Sequence, residues 1–212
     1  MTGFNEFIDS LGRKLIHPLP GLEAQLKMAT LRRDVQFGKM VVPEDAKKSS
    51  VLILFYPSGE DISLVFMKRT EYQGVHSGQI SFPGGSWELG DDDMVMTALR
   101  EAEEEIGVDR ASVLPIGKLS ELFIPPSKFL VTPVVGYTRQ RPSFRPDPVE
   151  VAKILEVPLD LLLQEETRQV RAITAFPDYR LDAPCFYVDG EIIWGATAMI
   201  LNELIEVISQ GS

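Results

Sequence analysis

Apolar positions return along this chain at two distinct periods. Phe4, Phe7, Ile8, Leu11 and Leu15 recur at the helical interval, which predicts an amphipathic N-terminal helix broken by Pro18 and Pro20. Gly21 to Asp34 reads as a second short helix leading into a linker. The pattern then changes. Ser50 to Tyr56 is a continuous apolar run closed by Pro57-Ser58-Gly59, the signature of a buried strand, and Ile62 to Lys68 reads as a second strand paired with it in a hairpin. The loop EYQGVHSGQIS carries the chain to the turn Phe82-Pro83-Gly84-Gly85, where Pro restricts φ and the paired glycines permit a close backbone approach.

The helical period returns after Asp91-Asp92-Asp93, which offer an N-cap, and stops at Gly107, a C′ residue. Between them Val95, Ala98, Leu99, Ala102 and Ile106 gather into one stripe at 100° per residue. Ser112 to Glu121 and Leu130 to Tyr137 read as strands, with Pro125-Pro126 and Pro133 confining them to edges or ends. Arg139 to Pro148 is a Pro/Arg-rich loop ending at Glu150, which opens a strand and a short helix. Phe176 to Tyr187 alternates turn signals with aromatics, and Glu191 to Ile205 predicts a strand end followed by a C-terminal helix. Strands and helices that alternate in this way predict an α/β fold.

Composition narrows the function classes. The 212 residues, 44% hydrophobic and 25% charged, suit one globular unit. A net charge of −10 argues against non-specific binding to nucleic acid or to an anionic membrane, so an anionic substrate must be met locally, by a cation and a few basic residues. The lone Cys185 allows no intrachain disulfide. The first residues lack an apolar h-region and no window approaches a membrane span, so a cytoplasmic enzyme is expected.

The charge is unevenly placed. From Glu88 to Asp109 nine acidic residues face one basic residue, Arg100. Glu101, Glu104 and Glu105 stand at i, i+3 and i+4 on one flank of the apolar stripe, while Glu103 points elsewhere. Carboxylates crowded in this way repel one another, and a hard divalent cation such as Mg²⁺ or Mn²⁺, which takes oxygen ligands and substrate phosphates, relieves the repulsion.

Arg100-Glu101-Ala102-Glu103-Glu104-Glu105-Ile106-Gly107-Val108 resembles the core of the Nudix box, the mark of Nudix hydrolases. Gly85 stands fifteen residues before Arg100, one more than the general pattern, and Asp91 or Asp92 takes the place of its Glu. The extra residue, the phrase HSGQISFPGG and the segment Trp194-Gly195-Ala196-Thr197-Ala198 are similar to the coenzyme A pyrophosphatase branch, although Gly74 stands where many of its members have Arg. The resemblance implies a Nudix α/β/α sandwich with a mixed β-sheet over residues 50–212, preceded by an N-terminal helical extension over 1–49. It implies metal ligation by Glu101, Glu104 and Glu105, a base that is Glu104 or Glu150, and an Arg100 that orients a box carboxylate. Arg69, Gly84, Gly85 and His76 are the candidate substrate contacts; His76 reads equally well as a residue that orders its loop.

The activity so implied is metal-dependent cleavage of the pyrophosphate of coenzyme A or its derivatives to 3′,5′-ADP and 4′-phosphopantetheine. ADP-ribose or another nucleoside diphosphate compound is the alternative substrate, and a non-catalytic nucleotide- or metal-sensing domain is the alternative of another class. The family analogy also allows a homodimer.

Overall fold

The computed structural model describes residues 2–30, 41–71, 77–176 and 179–210. Two helices come first, α1 (Thr2–Leu15) and α2 (Gly21–Leu26). The predicted stripe of α1 is its buried face: Phe4, Ile8, Leu11 and Leu15 are each at most 8% exposed. Helix α2 is shorter than expected and stops at Leu26; its expected extension beyond Thr30 lies outside the described residues.

A mixed eight-stranded sheet forms the centre. Strands β1 (Lys47–Ser58) and β2 (Asp61–Arg69) make the expected hairpin, but they pair only from Phe55↔Leu64 to Ser58↔Asp61 and then diverge. Into the opening go β3 (Ile80–Ser81), which pairs with β2, and β4 (Gly84–Ser86), which pairs with β1. The glycine turn is thus wedged between the first two strands. The other edge of β1 pairs in parallel with β7 (Phe129–Tyr137), and the other edge of β2 pairs with β8 (Val151–Pro158). Strands β5 (Leu114–Lys118) and β6 (Leu122–Ile124) share the outer edge of β7.

That arrangement corrects two expectations. The strand foreseen over Ser112 to Glu121 is split, with a short 3₁₀ turn at Arg110–Ser112 before β5 and a break after Lys118. Pro133 lies inside β7, an interior strand, and not at an edge or end. Its carbonyl accepts from Leu119 N (2.9 Å), in the gap between β5 and β6, so its missing N–H falls where the ladder is already interrupted.

Alternation along β1 sends side chains to two cores. Leu52, Leu54 and Tyr56 pack with α3 (Met94–Ile106), while Ile53 and Phe55 face α1, α2 and α5 (Gly195–Ser209) on the opposite side. The helix α4 (Leu159–Leu163) follows β8. A second, three-stranded antiparallel sheet joins β9 (Arg168–Phe176), β10 (Tyr179–Val188) and β11 (Glu191–Trp194) ahead of α5. The aromatic stretch read as alternating turns is largely strand β10.

Candidate active site

The glycine turn and α3 meet closely because both glycines lack a Cβ at the point of approach. A Cβ on Gly84, at φ +154, would stand 2.3 Å from Ser50 O, and one on Gly85 would stand 2.5 Å from Glu101 Oε2. The turn is held from behind by Phe82, buried against Phe66 with ring centroids 4.7 Å apart, and by Leu52 N donating to Pro83 O (2.8 Å). The carboxylates of α3 are therefore packed against bare backbone.

Asp93 caps α3, its Oδ1 accepting from Val95 N (2.8 Å) and Met96 N (2.9 Å). Asp91 has a different task. Arg100 Nε and Nη2 donate to its two oxygens at 3.0 Å each, in a bidentate pair, and Thr97 Oγ1 and Glu88 N also donate to it. These bonds, the arginine's first among them, lower the Asp91 pKa to about 2. The remaining Arg100 donors go to Ser86 O (2.9 Å), Glu101 Oε1 (3.0 Å) and Glu104 Oε2 (3.1 Å). All five guanidinium N–H groups are thus engaged within the protein, which makes Arg100 a positioning residue. The sequence left the choice between Asp91 and Asp92 open; the arginine's fork selects Asp91.

Glu105 is 2% exposed. Its Oε2 accepts from Gly84 N at 2.7 Å, and its Oε1 lies 3.1 Å from Arg69 Nη2, which also donates to Gly84 O at 3.1 Å. Burial pushes the Glu105 pKa up to about 7 against the pull of Arg69 and the Gly84 N–H, and the charges of Glu101 and Glu150 push the same way. Glu101 is raised too, first by its own burial, with Glu104 and Glu150 adding to the effect and Arg100 opposing it.

Glu150 reaches this cluster through the loop before β8. Arg145 N donates to Ile106 O (2.8 Å) and Asp147 N to Glu105 O (2.9 Å), which docks the loop on the last turn of α3; Thr70 N then donates to Glu150 O (3.0 Å). Gly107 permits this approach. It is left-handed at φ +69, and a Cβ there would come within 2.7 Å of Arg145.

The expected residues are therefore distributed as follows. Glu101, Glu105 and Glu150 are electrostatic neighbours, with Gly84, Gly85 and Arg69 against them. Glu104, its side chain 59% exposed, is bonded by the same Arg100 Nη1 that holds Glu101, and its charge also bears on Glu101. Arg69 is bonded to Glu105 and Gly84. His76 and Gly74 lie outside the described residues. Among the described residues no three His, Cys, Asp or Glu side chains close into a ready metal cage. Glu101 and Glu105 are oxygen donors raised by burial and by the charges of neighbouring carboxylates, a combination that fits a hard divalent cation.

The NUDIX domain family matches residues 46–179, more than half of the chain and all of the site just described. The chain belongs to the Nudix family. Nudix hydrolase 22, chloroplastic, of Arabidopsis thaliana is 36% identical over 77% of this chain and 56% of its own length. The Nudix hydrolase NudL of Photorhabdus laumondii is 33% identical over 69% of this chain and 77% of its own. This Nudix chain thus spans little more than half of the plant relative. Among solved structures, a MutT/nudix family protein from Enterococcus faecalis is 12% identical, with a TM-score of 0.49 over 78% of this chain and 63% of that one.

Proposed function

We propose that this Nudix protein is a divalent-metal-dependent hydrolase that cleaves the diphosphate of coenzyme A or its derivatives into 3′,5′-ADP and 4′-phosphopantetheine. The observation that carries the reading is the convergence of Glu101 and Glu105 on the Gly84-Gly85 turn, with Arg100 locking Glu101 in place and the charge of Glu150 bearing on both. The choice of coenzyme A rests on the phrase HSGQISFPGG and the Trp194-Gly195 segment.

Phosphoanhydride hydrolysis is mostly a matter of positioning and charge, because the diphosphate repels any incoming nucleophile. Glu101 and Glu105, with Glu150, would hold Mg²⁺ or Mn²⁺. The cation supplies charge neutralisation at the phosphoryl oxygens and eases deprotonation of water. Arg69 keeps the Glu105 carboxylate against the Gly84 N–H, and Arg100 keeps Glu101 over Gly85. The proton of the attacking water goes to Glu150 or Glu104, whose charges both bear on Glu101. Water adds across the P–O–P bridge, one phosphate keeping the bridging oxygen and the other gaining the hydroxyl.

Mass identification of products after incubation with coenzyme A, with ADP-ribose beside it and metal-free controls, tests this. Metal-dependent 3′,5′-ADP is the expected product. Turnover of ADP-ribose with coenzyme A untouched would move the substrate and keep the chemistry. Binding without turnover of any nucleoside diphosphate would replace the enzyme by a sensing domain.

A further inference from the structure

Trp87 is an exposed aromatic residue whose indole N–H and backbone N–H both have partners. Its backbone N donates to Lys48 O (3.0 Å), which carries the β4 to β1 ladder one residue past Ser86. Along such a ladder residues i and i+2 leave from one face of the sheet, so the side chain of Trp87 sets out on the face where Gly85 abuts the Glu101 carboxylate. The indole Nε1 donates to Asp91 O (3.1 Å), the residue whose carboxylate grips Arg100. Beyond it Asp91 N donates to Glu88 O and Glu88 N to Asp91 Oδ2, closing a turn that fixes the orientation of the ring.

Trp87 is nonetheless 41% exposed. An indole whose N–H is satisfied and whose backbone is pinned offers a flat, preorganised apolar surface, and here it stands at the rim of a carboxylate cluster. The surrounding charge is acidic, with Glu88 and Asp92 adjacent in the chain, so the surface suits the uncharged part of an anionic ligand rather than its phosphates. A nucleobase has that character: planar, neutral and attached to the diphosphate through a ribose. We propose that Trp87 is the stacking platform for the nucleobase of the substrate, a specificity contact that rests on the hydrolase reading above.

Two measurements test the contact. The first compares kcat and KM for coenzyme A in wild type, Trp87→Ala and Trp87→Phe. KM should rise about tenfold in Trp87→Ala, the scale of losing one base–aromatic stack, with kcat held within about twofold and most of the loss recovered in Trp87→Phe. The second follows indole fluorescence on adding ADP with Mg²⁺. In Trp194→Phe, where Trp87 is the remaining one of the two tryptophans, the emission should be quenched, and in Trp87→Phe it should not respond. An unchanged KM in Trp87→Ala, a KM shift that Trp87→Phe does not recover, or an unquenched Trp194→Phe would each overturn the proposal. If the wild type cleaves no nucleoside diphosphate, the hydrolase reading falls by itself, and the fluorescence titration still decides the stacking.

Discussion

Each face of the central sheet carries a helix with a buried glutamate, and the two are solved differently. On α5, Glu203 is 0% exposed; its Oε1 accepts from Gly21 N (3.1 Å) and Ser120 N (3.2 Å), and its Oε2 from Gln25 Nε2 (2.8 Å). Three uncharged donors from two parts of the chain surround one carboxylate, which ties α2 and the segment after β5 to α5. On α3, Glu105 is almost as deeply buried, yet one arginine and one backbone N–H face it together with the charges of Glu101 and Glu150. A carboxylate satisfied by dipoles is structural. A crowd of carboxylates with too little positive charge suits a cation.

The largest effect should come from Glu105→Gln, which keeps the shape and removes the charge. Hydrolysis should drop about 10³-fold or more, the scale of losing a preorganised electrostatic group, while circular dichroism stays that of the wild type. Retained turnover would mean that Glu105 is no more functional than Glu203. The converse variant, Glu203→Ala, should lower unfolding stability by about 3 kcal/mol in urea titrations, through a cavity and orphaned donors, with the rate per folded molecule unchanged. If activity fell and stability did not, the contrast between the two faces would fail.

Arg100→Lys sharpens the comparison from the positioning side. Lysine keeps the charge but cannot grip Asp91 in two places while reaching Glu101 and Ser86, so turnover should fall about 10- to 100-fold, with a higher metal concentration needed for half-maximal rate. An equal loss at every metal concentration would argue against orientation of the carboxylates. Gly107→Ala should cost about 1–2 kcal/mol from its left-handed backbone, and more where the new Cβ meets Arg145. Because that contact docks the segment carrying Glu150, activity should fall with it; a destabilised but fully active variant would separate the loop from the chemistry.

The smallest effect concerns the far end of the same loop. Hydrogen bonds from Arg141 are the main reason that the Glu156 pKa lies below its ordinary value, and Tyr56 donates to the same carboxylate. A depressed carboxyl stabilises the fold above its unfolded pKa and loses that contribution as pH falls through its folded pKa. Arg141→Ala should therefore lower stability slightly at neutral pH, only slightly because the arginine is exposed, and flatten the acid limb so that the two profiles converge below the ordinary glutamate range. Thermal unfolding across that range would reveal it, and parallel profiles for the two proteins would rule it out.

Much of this was legible beforehand for a local reason. The cap, the stripe and the terminal glycine of α3 lie within one short segment, so periodicity alone places Glu101, Glu104 and Glu105 on one flank. The hairpin of β1 and β2 is equally local, and so is the family resemblance, which is carried by contiguous motifs. The three-stranded sheet escaped the reading, since β9 places Arg168, Gln169 and Arg171 among its apolar residues and has little alternation to detect. Pro133 misled because its missing donor matters only relative to a neighbour that breaks at the same point.

The sequence by itself determined which helix carries the acids, which turn precedes it and which family the chain resembles, because these depend on neighbours a few residues apart. The tertiary structure decided which acids share a site. Asp91 was chosen over Asp92 by the reach of one guanidinium, Glu101 and Glu104 were bonded by the same group, and the segment carrying Glu150 was docked by two backbone hydrogen bonds onto the end of α3. Such choices depend on distances across the fold, where burial strengthens repulsion between like charges and a single hydrogen-bond donor settles which oxygen it meets.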